Sequence, residues 1–80
     1  MPNKDWNTPV EISFRAIGSE AVNGPFEALI VLTDRWPDRS GLNFIKARNA
    51  CRAAIAGRRN SEEARCAFLA AAREAKLTPS

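Results

Sequence analysis

The chain has 80 residues, of which 45% are hydrophobic and 26% charged, with a formal net charge of +3. That composition is ordinary for a small globular protein, and the length favours one domain around one small core. No run approaches the roughly 18 apolar residues of a membrane span, and Met1-Pro2-Asn3-Lys4-Asp5 lacks an apolar signal-peptide core, so no membrane partner is expected.

Val10, Ile12 and Phe14 alternate with Glu11, Ser13 and Arg15, the period-two signature of a half-buried strand. Gly18-Ser19 offers a reversal and Glu20-Ala21-Val22 a short antiparallel return, giving a hairpin over about 9–22. Trp6, just ahead of the strand, is expected to close one end of the core.

Asn23-Gly24-Pro25 opens a helix, because proline's missing N–H suits the first turn and Asn23 or Gly24 can cap it. The helix is expected over about 25–36, with Phe26, Leu29, Leu32, Thr33 and Trp36 inward and Glu27, Val31 and Asp34 opposite. Periodicity also allows a strand over Ala28 to Leu32; the Gly-Pro start and the length favour helix. Ile30 and Val31 fall off the inward face and are the candidate self-association residues, covered either by the hairpin or by another subunit.

Pro37 disfavours helical backbone at Trp36 and ends this helix. Asp38-Arg39-Ser40-Gly41 is the turn. Ser40 is expected to cap a second helix over about 41–56, stopped by Gly57 in the left-handed conformation. Phe44, Ala47, Cys51, Ala54 and Ile55 share its inner face, Lys46, Asn49 and Ala53 its outer face, and Arg48 and Arg52 one flank. A third helix over about 61–76 is capped by Asn60 or Ser61, with Glu62 and Glu63 at its positive end and Lys76 at its negative end. Ala64, Phe68, Ala71, Ala72 and Ala75 face inward, the alanines implying close helix approach, and Leu77 completes the packing. Residues 1–5 and 78–80 are expected to be flexible ends. The expected fold class is α+β: an N-terminal β-hairpin followed by three α-helices in a single domain over 1–80.

No motif for catalysis, metal binding or nucleotide binding is present. Histidine, the commonest general base and metal ligand, is absent, and the carboxylates show no ligand spacing. No catalytic, cofactor-binding or metal-binding residue is therefore assigned, and neither a cofactor nor an enzymatic activity is expected. Cys51 points inward as a small hydrophobe. Cys66 points outward on the next helix near Arg65 and Arg73, with no base to make it a nucleophile. The two are not expected to pair; without a membrane span or signal-peptide core the chain reads as cytoplasmic, where reduced thiols are the default.

Charge is the most informative pattern. Residues 1–38 hold three bases and six acids, whereas residues 39–80 hold nine bases and three acids. Between Arg39 and Arg59 stand Arg39, Lys46, Arg48, Arg52, Arg58 and Arg59 with no acid among them. These are the candidate anion or partner contacts, open to phosphates, to an acidic protein surface, to the acidic half of a second copy, or to solvent alone. The modest net charge and the lack of a recognition motif or exposed aromatics weigh against nucleic acid.

Trp6 with Pro9-Val10, Val22 through Gly24-Pro25, Glu27-Ala28-Leu29 and Trp36-Pro37 form one half of a distributed pattern. Gly41, Phe44, Ala47, Cys51, Ala54, Gly57, Phe68, Ala71 and Glu74-Ala75 form the other. In order and spacing the whole resembles a family of small bacterial proteins, domain of unknown function 982. Phe44 stands where the family most often has an aromatic with a hydroxyl, so a polar role for that ring is lost here. The resemblance implies a complete, cytoplasmic domain with a helix from Phe26 to Trp36. It brings no catalytic residues.

The expectation that follows is a small non-enzymatic interaction or regulatory module that self-associates, as a homodimer, because a core this small buries only about 60 to 65% of its unfolded surface. An acidic protein is a further partner class. The alternative is a weak nucleic-acid binder working through Arg39 to Arg59.

Overall fold

A computed structural model describes residues 6–14, 18–37 and 39–77. In chain order these form strands β1 (Val10–Phe14) and β2 (Gly18–Val22), then helices α1 (Pro25–Asp34), α2 (Leu42–Ile55) and α3 (Ser61–Glu74). The α+β class and the order of elements are those expected from the sequence. The ends expected to be flexible, 1–5 and 78–80, lie outside the described residues.

Val10, Ile12 and Phe14 turn one face of β1 into the core, and Val22 is the single buried residue of β2. The strands pair antiparallel with Val10 opposite Val22, Ile12 opposite Glu20 and Phe14 opposite Gly18. The return strand is thus longer than expected. Gly18 and Ser19 do not make the reversal but belong to β2, and Gly18 enters it at φ +95°, a conformation that favours glycine. A two-stranded hairpin is marginal alone. Here Trp6 N–H donates to Asn23 O at 2.6 Å, and Ser13 N–H donates to Leu77 O at 2.6 Å, so the chain after α3 covers part of the free edge of β1.

Pro25 occupies the first turn of α1 and Gly24 the cap. The buried stripe is Pro25, Ala28, Val31 and Leu32, which rotates the helix relative to the face expected from its largest side chains. Phe26 is 65% exposed and Ile30 44%, whereas Val31 is only 5% exposed. Ala28 explains the difference, since its small side chain lets the helix backbone approach the core where a bulky face would hold it away. Trp36 does not constrain the helical face because α1 stops at Asp34; Trp36 is buried from beyond the helix end.

Gly41, not Ser40, is the cap of α2, and no side chain bonds to that end of the helix as a cap. The Glu74 carboxylate lies against it instead: a Cβ at Gly41 would collide with its Oε1, and Asn43 Nδ2 donates to its Oε2 at 3.3 Å. A carboxylate near a helix N-terminus is favourable, so α3 ends by stabilising the start of α2. At the other end Gly57 has φ +82°. Its N–H donates to Ala54 O at 3.1 Å and Arg58 N–H to Ala53 O at 2.8 Å, the paired bonds of a Schellman stop. Asn60 caps α3, its side chain accepting from Glu62 N–H at 2.8 Å.

The end of α3 repeats the Schellman pattern without glycine. Lys76 sits at φ +60°, its N–H bonding Arg73 O, and Leu77 N–H bonds Ala72 O. Left-handed backbone costs a non-glycine residue about 1 kcal/mol, and the lysine is exposed. Lys76→Gly should therefore stabilise the fold by about 0.5 kcal/mol after the entropy gained by the unfolded chain is deducted. The readout is a raised thermal midpoint; an unchanged or lowered midpoint would show that the turn carries no such cost.

The helices pack through small residues: Ala47, Ala50 and Ala54 of α2 and Ala64, Ala71 and Ala72 of α3 are all buried. Phe68 stands at the centre, fully buried, with ring centroids 5.8 Å from Trp6 and 5.5 Å from Trp36. Trp6 Nε1 donates to Ser61 O at 2.7 Å, so the indole that closes the core also satisfies its one donor.

Candidate interaction surfaces

Two surfaces remain once the core is accounted for. The first is the outer side of α1, where Phe26 and Ile30, four residues apart, stand beside half-buried Leu29 and exposed Thr33. Of the two candidate self-association residues, only Ile30 lies on this surface, because Val31 is taken up by the core. Phe26, whose size predicts an inward position, lies on this surface instead. Glu27 and Asp34, both exposed, flank the apolar stripe. On α2, Leu42 is 63% exposed and Ile45 is also open to solvent; Ile55, expected on the inner face, is exposed as well, being the last residue of the helix.

The second surface is basic, and the six candidate bases divide within it. The Arg39 guanidinium donates to the Thr33 carbonyl in the last turn of α1, where helix carbonyls lack internal partners. Arg48 is half-buried with its Cζ 5.9 Å from the Phe44 ring centroid, a cation–π contact, and its Nε makes no hydrogen bond among the described residues. Both side chains therefore serve the fold. Lys46 is exposed on the outer face of α2. Arg52, Arg58 and Arg59 converge with Asn49 and Ala53 around an open cleft of about 470 Å³ at the end of α2.

Other arginines are already engaged. Arg35 ion-pairs with Glu20, tying the end of α1 to β2, and Arg65 Nε donates to Thr8 O at 2.8 Å. At this degree of exposure the ion pair contributes no more than about 1 kcal/mol. Among the described residues, no three or more Cys, Asp or Glu side chains converge, and no helix is long and apolar enough to cross a membrane.

Both cysteines are free, Cys51 buried and Cys66 exposed, as their helix positions predicted. Burial pushes the Cys51 thiol up from its ordinary 9.0 to about 12. Between those two values the native state keeps a proton that the unfolded state loses, so stability is unaffected below about pH 9 and falls above it, by up to about 1.4 kcal/mol per pH unit. Cys51→Ala removes this slope. The urea-midpoint gap between wild type and variant should accordingly shrink from about pH 8 to about pH 11; an equal gap at both would contradict the burial effect.

The family model for a protein of unknown function (DUF982) matches residues 8–79. An NMR structure of the Agrobacterium tumefaciens protein Atu1219 superposes with a TM-score of 0.80 at 36% identity, covering 95% of this chain and 76% of that one. No curated protein matches the chain. With nearly its whole length matched and the same fold in a relative of this identity, the chain belongs to the DUF982 family.

Proposed function

We propose that the protein is a non-enzymatic interaction module of the cytoplasm that pairs with a second copy of itself through the outer side of α1. The observation that carries this reading is Phe26 at 65% exposure beside Ile30 at 44%, on a helix whose core contacts are made by other residues. Contiguous exposed apolar side chains with a polar surround are characteristic of association surfaces. The second copy is favoured as occupant by the charge division of the chain: α1 carries Glu27 and Asp34 beside the stripe, while Arg39 to Arg59 hold six bases and no acid, so two copies attract rather than repel at long range. The two unpaired cysteines support the cytoplasmic setting.

The nucleic-acid alternative draws on fewer groups than the sequence suggests, since Arg39 and Arg48 are engaged within the fold. Sedimentation equilibrium tests the proposal. The expected result is a mass rising from the 8.8 kDa monomer toward twice that value as concentration increases into the high micromolar range. A mass that stays at the monomer value throughout would overturn it.

A further inference from the structure

The cleft at the end of α2 is built by local geometry independent of the α1 surface. Asn49, Arg52 and Ala53 lie three and four residues apart on one side of the helix. Gly57 then reverses the chain, and Arg58 and Arg59 N–H groups both bond Ala53 O, at 2.8 and 3.3 Å. That turn brings two further arginines back onto the side already occupied by Arg52.

None of the three guanidinium groups has a side-chain hydrogen bond or ion pair among the described residues, in contrast to Arg35, Arg39 and Arg65. Among the described residues no carboxylate lines the cleft; Glu62 and Glu63 lie beyond it in the first turn of α3. Three like charges around one concavity repel one another, and an anion placed between them turns that repulsion into attraction.

From this arrangement we infer that the cleft is a binding site for a compact phosphate-bearing anion, held by Arg52, Arg58 and Arg59 with Asn49 as a neutral hydrogen-bonding partner. Guanidinium forks match phosphate oxygens in pairs. A phosphate monoester carries only about −1.5 to −2 charges, so three guanidiniums suit a group with two adjacent phosphates better than a single one. Ala53 supplies a small floor that leaves the arginines room to close over the ligand. Among the described residues no aromatic side chain lines the cleft. The site therefore holds phosphates without the base stacking by which single strands are gripped.

Titration calorimetry of the full chain with inorganic diphosphate, in about 50 mM salt, is the test. A single saturable site is expected, with affinity falling about tenfold in Arg58→Gln and by a similar factor in Arg52→Gln. Arg73→Gln, on α3 outside the cleft, should leave affinity within about twofold of wild type. In a second arm, single-stranded DNA of mixed sequence should bind more weakly and be displaced by diphosphate. Absence of diphosphate binding, binding indifferent to substitution at Arg52 and Arg58, or DNA binding that diphosphate does not displace would each overturn the inference. The oligomeric state read by sedimentation enters none of these outcomes.

Discussion

Phe68→Ala should leave the protein close to unfolded at 25 °C. The ring is fully buried and lies between Trp6 and Trp36, so its removal takes away one side chain and both aromatic contacts at once. Truncating a buried phenylalanine costs about 3 to 5 kcal/mol, and each well-placed aromatic pair adds about 0.5 to 1.5 kcal/mol beyond its area. The whole stability of a chain of this length is about 4 to 12 kcal/mol. The surrounding elements are also badly placed to close the cavity. Trp6 is pinned by its bond to Ser61 O, and the alanine contacts between α2 and α3 leave those helices no bulk with which to collapse. Urea unfolding followed by tryptophan fluorescence reads the effect directly. Leu42→Ala, at a 63% exposed position, should by contrast shift stability by no more than about 0.5 kcal/mol. A loss at Phe68 no larger than at Leu42 would show that the core is centred elsewhere.

The double substitution Phe26→Glu with Ile30→Glu should abolish self-association while leaving the fold in place. Both side chains lie on the exposed side of α1, and glutamate is a good helix former that is favoured near the N-terminal end. The added repulsion with Glu27 and Asp34 costs only about 0.5 kcal/mol. In a twofold dimer each substitution acts twice, so losing two buried apolar side chains per subunit and gaining facing negative charges should raise the dissociation constant at least about a hundredfold. Sedimentation of the variant should give the monomer mass with an unchanged circular dichroism spectrum. A folded variant that still dimerises would move the interface away from α1.

The presence of a hairpin, the order of helices and most of the inner faces of α2 and α3 are legible in the sequence because each is written in local terms, though Ile55, placed inward by spacing, ends α2 exposed. Val10, Ile12 and Phe14 alternate, Asn60 and Gly57 mark helix ends, and the alanines recur at helical spacing. The face of α1 is less legible because large apolar residues surround the helix and the small Ala28 decides which side approaches the core. The start of α2 depends on Glu74, more than thirty positions away in the chain, so no cap reading around Ser40 could anticipate it. The basic stretch is partly legible for the same reason. A count of charges cannot tell Arg39 and Arg48, drawn to a carbonyl and a ring, from Arg52, Arg58 and Arg59, which a left-handed glycine gathers around one cleft. Exposed apolar residues such as Phe26 and Leu42 carry a signal in the helical wheel, but only after the buried face is fixed.

The most direct measurement is the concentration dependence of backbone amide shifts in the wild-type protein. On dilution from about millimolar to about micromolar, a range that spans weak self-association, amides around Phe26, Leu29, Ile30 and Thr33 should move together and fit one dimerisation constant. Shifts that stay constant over that range, or that change only around residues 52–59, would contradict pairing through α1.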